Sequence, residues 1–370
     1  MDTVITIDVL VSYLERIAPP SYQEGYDNAG LITGSKDWVC TGALTTLDAT
    51  EAVVEEAAAR GCNLIVAHHP IVFSGLKKIN GKNYVERAVI AAIKKDIAIY
   101  AIHTNLDNVV SEGVNGRIAA KLGLINGRVL LPKEGVLRKL FCFVPVDHLE
   151  PVRNAIFSAG AGFIGGYGEC SFSAEGTGTF KAGEGTHPFV GEQGLRHSEK
   201  EVRVEMVLPA HLSGAVVRAM IAAHPYEEVA YDLVNLANTH PGVGSGLIGE
   251  LPSAMEEKAF LERVRDVFQA GVVRHTRLLG RRVQRVAVCG GAGSFLISKA
   301  LAEKADFYIT ADIKYHEFFD ANDGMVVADI GHFESEQYTV DLLFEVLQEK
   351  FHNFAVLKSE TKTNPVCYFI

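Results

Sequence analysis

The stretch Leu64-Ile65-Val66-Ala67-His68-His69-Pro70 decides the interpretation of the first part of this sequence. Its four leading residues make an apolar run with the length of a short buried strand. A helix is predicted before it, from Glu51 to Arg60, and a second helix from about Val85 to Lys95 leads into another apolar strand from Ile97 to Ile102. Helices that alternate with fully apolar strands are typical of a parallel sheet with helices on both faces. The sequence therefore predicts an α/β fold.

The last part of the chain, from about Met255 to Ile370, repeats this alternation. Short apolar segments again stand between segments with helical spacing, so the same kind of sheet is expected. The predicted elements are strands from Arg285 to Cys289, Phe307 to Thr310 and Met325 to Ile330, and helices from Phe295 to Lys304 and Ser335 to Lys350.

The middle of the chain has a different order of elements, β-α-β-β-α-β, which is the ferredoxin-like split arrangement. We therefore divide the chain into residues 1–126 and 253–370, which form the two parts of an α/β domain, and an insert at residues 127–252. Glycine is frequent between Gly160 and Gly194, which predicts a mobile loop or a β-ribbon. Such a segment serves either as an exposed linker or as a flap over a ligand.

Polar side chains follow four of the predicted strands at the point where each strand ends. Ligands of open α/β sheets bind outside the carboxyl ends of the strands, so these side chains mark a candidate site. They fall in four segments: His68-His69, His103 to Asp107, Asp312 to His316, and His332 to Glu336.

The adjacent pair His68 and His69 favours two metal ions over one. Neighbouring residues on a regular strand point to opposite faces, but a strand end that opens into a loop can present both to two neighbouring ions. Imidazole suits zinc, iron, copper and nickel, and carboxylates widen the choice to manganese and cobalt. A packed or surface pair of histidines is the competing interpretation.

The carboxylates of the candidate site also have alternatives. His332 and Glu336 are four residues apart and share a helix face if the helix begins at His332. Glu334 is the competing ligand, and Glu336 could instead be an ordinary carboxylate at a helix start. Asp107 could bridge two ions or could cap a helix.

The loop Gly290-Gly291-Ala292-Gly293 follows one predicted strand and precedes a helix. This position suits anion binding. The loop lacks both the full GxGxxG spacing and the P-loop Lys-Ser/Thr, so a tight turn is the competing interpretation.

The composition excludes several classes of protein. The formal net charge is −10, and Lys and Arg form no cluster, so nucleic-acid binding is not expected. The chain has no apolar run near the roughly 18 residues that cross a bilayer. The start of the chain does not resemble a signal peptide, and the six scattered cysteines fit reduced thiols, so we expect a cytoplasmic protein without membrane contact.

Four motifs stand out together in this sequence: Tyr26 to Leu31, Ala67 to Pro70, His103 to Asp107 and Gly331 to Glu336. Together they resemble the Nif-three-like family, whose members are often labelled GTP cyclohydrolase 1 type 2 homologues. The resemblance implies a dinuclear metal site formed by His68, His69, Asp107, His332 and Glu336. It also implies ring-shaped homohexamers, and it makes the middle segment, with His224 to Glu228, similar to CutA and PII proteins.

Two divalent ions, whether zinc, iron, manganese, cobalt or nickel, favour hydrolysis because they lower the pKa of water and stabilise the attacking and leaving oxygens. We therefore expect a metal-dependent hydrolase of a small phosphorylated or nucleotide-like substrate. His316 is the expected general acid or base. The expected substrate contacts are Asn28, Thr104, Asn105 and Asp312, of which Asp312 could instead support the ligands from outside. The rival hypothesis is a non-enzymatic metal-binding regulator or scaffold that senses a ligand or partner through its PII-like domain.

Overall fold

The computed structural model describes residues 4–369 and divides into two compact units. The first unit combines the chain up to Pro132 with the chain from Gly242 onward, and the second is Lys133–Pro241. The α-helices are α1 Ile7–Ile17, α2 Glu51–Ala59, α3 Tyr84–Lys94, α4 Thr104–Asp107, α5 Val114–Leu122, α6 Leu149–Ser158, α7 Ser213–Ala223, α8 Glu257–Phe268, α9 Ile297–Ala302, α10 His332–Glu336 and α11 Thr339–Lys350. The strands are β1 Gly30–Thr33, β2 Ala43–Asp48, β3 Leu64–His69, β4 Ala98–Ala101, β5 Ile125–Pro132, β6 Leu137–Pro145, β7 Phe172–Lys181, β8 Arg196–Pro209, β9 Tyr231–Asn235, β10 Gly244–Glu256, β11 Arg274–His275, β12 Arg282–Ala292, β13 Phe307–Ala311, β14 Val326–Asp329 and β15 Val356–Lys358.

The first sheet of the first unit has the order β1-β4-β3-β2-β15. All of its neighbouring pairs are parallel except β1 with β4. Leu64 and Val66 of β3 belong to one buried cluster, whereas Ile65 and Ala67 belong to another. Because successive strand residues point to opposite faces, burial of both faces explains why the whole strand is apolar.

Helix α2 begins where the sequence predicts. The side chain of Thr50 accepts a hydrogen bond from the Val53 N–H, so Thr50 is the cap of this helix. This arrangement leaves the Asp48 side chain available at the end of β2.

The second sheet of the first unit has the order β11-β14-β13-β12-β10-β5. Strands β12, β13 and β14 are parallel, and β10 runs antiparallel to both β12 and β5. The second compact unit, Lys133–Pro241, is narrower than the predicted insert at residues 127–252. Strands β5 and β10 pair within this sheet and bury Leu130 and Ile248 in its core, so the units divide after Pro132 and after Pro241.

The second unit has the element order β6-α6-β7-β8-α7-β9 and one four-stranded antiparallel sheet of order β7-β8-β6-β9. It has a separate core, to which Leu140 of β6, Val152 of α6 and Val216 of α7 contribute. Part of the glycine-rich segment forms a ribbon, because Phe172–Lys181 pairs with the first part of β8. Residues 182–194, which follow this strand, are loop.

No helix among residues 4–369 has the length and apolar character that crossing a bilayer requires. The six cysteines are free thiols.

Glu56 of α2 holds the segment that follows β15. Its carboxylate accepts hydrogen bonds from the Ser359 hydroxyl at 2.7 Å, the Glu360 N–H at 2.8 Å and the Thr361 hydroxyl at 2.6 Å. Partial burial opposes ionisation, but the hydrogen bonds from Thr361 and Ser359 outweigh it and lower the pKa of Glu56 to about 2.

Replacing Glu56 with glutamine should therefore lower the free energy of unfolding at pH 7 by about 2 kcal/mol, because hydrogen bonds to an ionised group are strong. Since the pKa of Glu56 is depressed by folding, its contribution is present above the unfolded pKa and is lost as pH falls toward the folded value. Urea denaturation at pH 7 and pH 3 measures this difference. The control is Glu55→Gln, whose ion pair with Lys95 is exposed and worth little. The assignment would be contradicted if both variants lost the same free energy of unfolding at pH 7. It would also be contradicted if the difference between Glu56→Gln and the native protein were no smaller at pH 3 than at pH 7.

Candidate metal centre

The candidate ligands lie where elements of both sheets of the first unit end. Strand β3 ends at His68 and His69, and the short helix α4 ends at Asp107. Strand β14 is followed by Gly331, which has a φ of +94° and turns the chain into α10. Helix α10 begins at His332, so His332 and Glu336 lie on one face of it, as their spacing predicts.

Glu336 lies at the centre of this group. Its Oε2 is 2.9 Å from His69 Nε2 and 3.1 Å from His332 Nε2. Its Oε1 faces the other way and is 3.8 Å from His68 Nε2, which is 3.6 Å from Asp107 Oδ1. The residues thus form two groups that could each hold a metal ion, His69-His332-Glu336 and His68-Asp107-Glu336. Glu336, rather than Asp107, is the residue that the two groups share.

The three histidines are oriented in the same way. Each Nδ1 faces a carbonyl or carboxylate oxygen that accepts a hydrogen bond, so the Nε2 lone pair is directed at the cluster. Histidine ligands of metals typically show this arrangement, because the outer hydrogen bond selects the tautomer and fixes the ring. The acceptors are Ile102 O for His68 at 2.8 Å, Asp48 Oδ1 for His69 at 2.8 Å and Asp312 Oδ2 for His332 at 2.7 Å.

Two buried atoms of the cluster, His68 Nε2 and Asp107 Oδ1, have no hydrogen-bond partner among residues 4–369. A buried polar atom without a partner is costly. A cation coordinated by both atoms would satisfy them, and their nitrogen and oxygen donors suit divalent transition metals. The residues present therefore fit a metal centre.

The electrostatics of the cluster also favour a cation. Burial, followed by the neighbouring Glu336 carboxylate, raises the pKa of Asp107. Burial opposes ionisation of Glu336 as well, but hydrogen bonds from the histidines hold the pKa of Glu336 well below its usual range. Against the effect of burial, Asp48 and Glu336 raise the pKa of His69 to about 9, and Asp312 and Glu336 raise the pKa of His332 to about 11. Metal binding would displace the protons that these histidines otherwise carry.

The structure brings the other predicted residues to different places. Asp312 supports His332, as described. Thr104 is buried, donates its hydroxyl hydrogen bond to Asp27 and lines the cavity beside the cluster. Asn105 is fully buried and donates to Ala18 O, which gives it a structural role.

Asn28 and His316 lie away from the cluster. The Asn28 side chain is exposed and donates to Val72 O at 2.6 Å. His316 is exposed in the 3-10 helix Tyr315–Ala321, which follows β13, and its ring stacks on Phe319. Neither residue lines the cavities that border the cluster.

Sequence reasoning assigned no role of their own to three residues of the site: Asp48, His103 and Asp27. His103 donates from Nδ1 to Asp27 Oδ1 at 2.8 Å, and together with His68 and His69 it forms a further group that could hold a metal. The rule that ligands bind at the carboxyl ends of strands placed His103 at the candidate site, and the same rule could have found Asp48, which ends a strand of the first sheet.

The segment Gly290-Gly291-Ala292-Gly293, whose first three residues end β12, packs against the centre. Its N–H groups at Gly290 and Gly291 donate to Asn115 Oδ1 at 3.0 Å and Ser335 Oγ at 2.9 Å. Gly291 has a φ of +62°, and a Cβ there would lie 2.4 Å from Glu336 Oε1. Glycine is thus required for close approach to Glu336, which supports the tight turn over the anion site.

Comparison with known proteins places these residues in a family. A protein-family model described as Duf34/NIF3 (NGG1p interacting factor 3) matches residues 5–365. Similar curated proteins named GTP cyclohydrolase 1 type 2 homolog come from Halalkalibacterium halodurans, 39% identical over 97% of this chain and 98% of the relative, and from Bacillus subtilis, 38% identical over 97% of each. The crystal structure of a Bacillus cereus protein related to NIF3 is similar with a TM-score of 0.86, 38% identity and full coverage of both chains.

Proposed function

This chain belongs to the Duf34/NIF3 family, and we propose that it binds two divalent metal ions and hydrolyses a small phosphorylated or nucleotide-like substrate. The observation that carries the proposal is the pair of three-residue groups that share Glu336. The unpartnered His68 Nε2 and Asp107 Oδ1 support it, since both atoms face the position that an ion would take.

In this proposal, one ion is held by His69, His332 and Glu336, and the other by His68, Asp107 and Glu336. Zinc, iron, manganese, cobalt and nickel all accept this mixture of imidazole and carboxylate ligands. When bound, such ions supply Lewis acidity toward a substrate oxygen and lower the pKa of water.

The chain's own residues orient the imidazole ligands and line the cavity beside them. Asp48 and Asp312 hold two of the imidazoles in the tautomer that presents Nε2. His103 lines the cavity beside the cluster with its ring held by Asp27, so it, rather than His316, lies where a side chain can hydrogen-bond a bound substrate.

The proposal extends to the second unit and to assembly. The β-α-β-β-α-β order and the sheet order of Lys133–Pro241 support a ferredoxin-like domain of the CutA/PII kind. Assembly into a homohexamer rests on the family resemblance, and analytical ultracentrifugation measures it. A cytoplasmic location rests on the scattered cysteines, which are free thiols.

The test combines metal analysis with turnover. Plasma mass spectrometry should find about two ions per chain after purification and reconstitution. Hydrolysis in a panel of phosphoesters, cyclic nucleotides and GTP should stop when a chelator removes the ions and should return when they are restored. An unchanged rate in the stripped protein would contradict the hydrolase. Bound metal without any turnover, together with a ligand-induced change in assembly, would support a metal-binding regulator instead.

A further inference from the structure

A cavity of about 480 Å³ opens directly onto the candidate metal centre. Its floor includes His69, Asp107, His332 and Glu336. The volume lies within the range of pockets that enclose small molecules. Whatever occupies this cavity would touch the metal centre on one side.

The walls of this cavity are aromatic. Four large aromatic side chains line it, and each of them is between 51% and 65% exposed. Large exposed apolar groups that cluster around a concavity mark binding sites, because isolated ones would scatter over the surface. The four are Tyr26, Phe73, Tyr84 and Phe295.

The rings on one side form a continuous surface. Tyr26 and Phe73 lie with ring centroids 6.2 Å apart and planes inclined by 36°. The Phe73 centroid is 6.1 Å from that of His103. The Nδ1 of His103 is held by Asp27, so its Nε2 is the nitrogen available to a ligand. A flat ring with a heteroatom at its edge matches this combination of aromatic faces and one polar nitrogen.

The charge of the cavity argues against nucleotides that carry a polyphosphate chain. Within the described part of the chain, no Lys or Arg lines this cavity, whereas Glu24, Asp48, Asp107 and Glu336 do. Phosphate chains are usually bound by Lys, Arg or the amides of a glycine loop. The amides of Gly290 and Gly291 are already occupied by Asn115 and Ser335. Among the described residues that line the cavity, the histidines are therefore the only side chains that can carry positive charge, and bound metal ions would add to it.

We propose that this cavity binds a planar aromatic heterocycle, stacked on Tyr26 and Phe73, that carries a single anionic group directed at the metal centre. A polyphosphate chain is not recognised, since it would add charge without a cationic side chain to meet it. This inference rests on the proposed function, because the metal ions supply the contacts to the anionic group.

Equilibrium binding to the metal-loaded full-length protein tests the proposal by calorimetry. The probes are guanosine 5′-monophosphate, ribose 5-phosphate, which has the same phosphate without the base, and GTP. The monophosphate should bind about tenfold more tightly than ribose 5-phosphate, in the range that stacking of one base provides. GTP should bind no more tightly than the monophosphate.

Variants locate the stacking surface. Phe73→Ala and Tyr26→Ala should each weaken binding of the monophosphate about tenfold and leave ribose 5-phosphate unchanged. The matched control is Phe319→Ala, which removes an aromatic ring that is 67% exposed and lines a different cavity. All of these side chains are exposed, so the fold should persist.

Equal affinity for the monophosphate and ribose 5-phosphate, absence of binding by the monophosphate, or equal behaviour of Phe73→Ala and Phe319→Ala would overturn the proposal. Metal content is measured on the same samples. Normal metal content with equal affinity for the monophosphate and ribose 5-phosphate would contradict this inference alone. Absence of bound metal would contradict the proposed function.

Discussion

Replacing Glu336 with glutamine is expected to remove metal binding from both positions of the centre. The two carboxylate oxygens face different partners, Oε2 toward His69 and His332 and Oε1 toward His68. Glutamine keeps the size of the side chain but has one neutral oxygen, so it cannot serve both groups. Loss of a ligand's hydrogen-bond partner alone costs about 10- to 100-fold in metal affinity, and loss of this shared ligand should cost more than about 100-fold.

Metal titration by calorimetry and thermal unfolding with and without metal measure this effect. Because a ligand that binds only the folded state stabilises it by mass action, metal should raise the Tm of the native protein and leave that of Glu336→Gln unchanged. The control is Glu334→Gln, two residues away in the same helix. Glu334 is also buried, but its carboxylate accepts from Asn364 and belongs to neither ligand group. Retention of both ions by Glu336→Gln, or equal loss in Glu334→Gln, would remove Glu336 from the centre.

Replacing Asp48 with alanine is expected to lower the affinity for one of the two metal ions about 10- to 100-fold. The affinity for the other ion should stay nearly unchanged. Asp48 Oδ1 accepts from His69 Nδ1 at 2.8 Å, and Asp48 Oδ2 accepts from the Thr363 hydroxyl at 2.6 Å. Without this carboxylate, the His69 ring loses the bond that orients it and selects its tautomer. His68 is held separately by Ile102 O, so its group should keep its affinity.

A two-site metal titration resolves the two affinities. Thr363→Val removes only the hydroxyl behind Asp48 and should give a smaller loss at the same site. Glu51→Ala serves as the control, because its carboxylate is exposed, lies nearby at the start of α2 and pairs with Arg87. An equal loss of affinity for both ions in Asp48→Ala would indicate general destabilisation instead of a positioning role for Asp48.

Local sequence patterns determined the strands and the residues at their ends. Leu64 to Ala67 can be recognised as a buried strand because four consecutive apolar residues satisfy both faces of a covered sheet. The histidines that follow it lie at the carboxyl edge as a direct consequence of strand direction. The element order of the second unit is also readable, because each helix and strand there has its own periodicity.

The choice between Glu334 and Glu336 needed the tertiary structure. Both follow His332 in one short helix, and only the contacts with His69 and His68 distinguish them. The boundary of the second unit also needed the tertiary structure. Strands β5 and β10 are assigned to the first unit because they pair with each other and β10 pairs with β12, and these three strands are distant in sequence.

By itself, then, the sequence determined an α/β protein with metal-ligand residue types at its strand ends, because hydrophobic periodicity and strand direction are local properties. The tertiary structure alone decided that Glu336 is shared, that Asp48 and Asp312 orient the histidines, and that the adjoining cavity has aromatic walls without a lining Lys or Arg among the described residues. These features depend on distances between side chains far apart in the chain, and such distances are set by how the two sheets of the first unit pack.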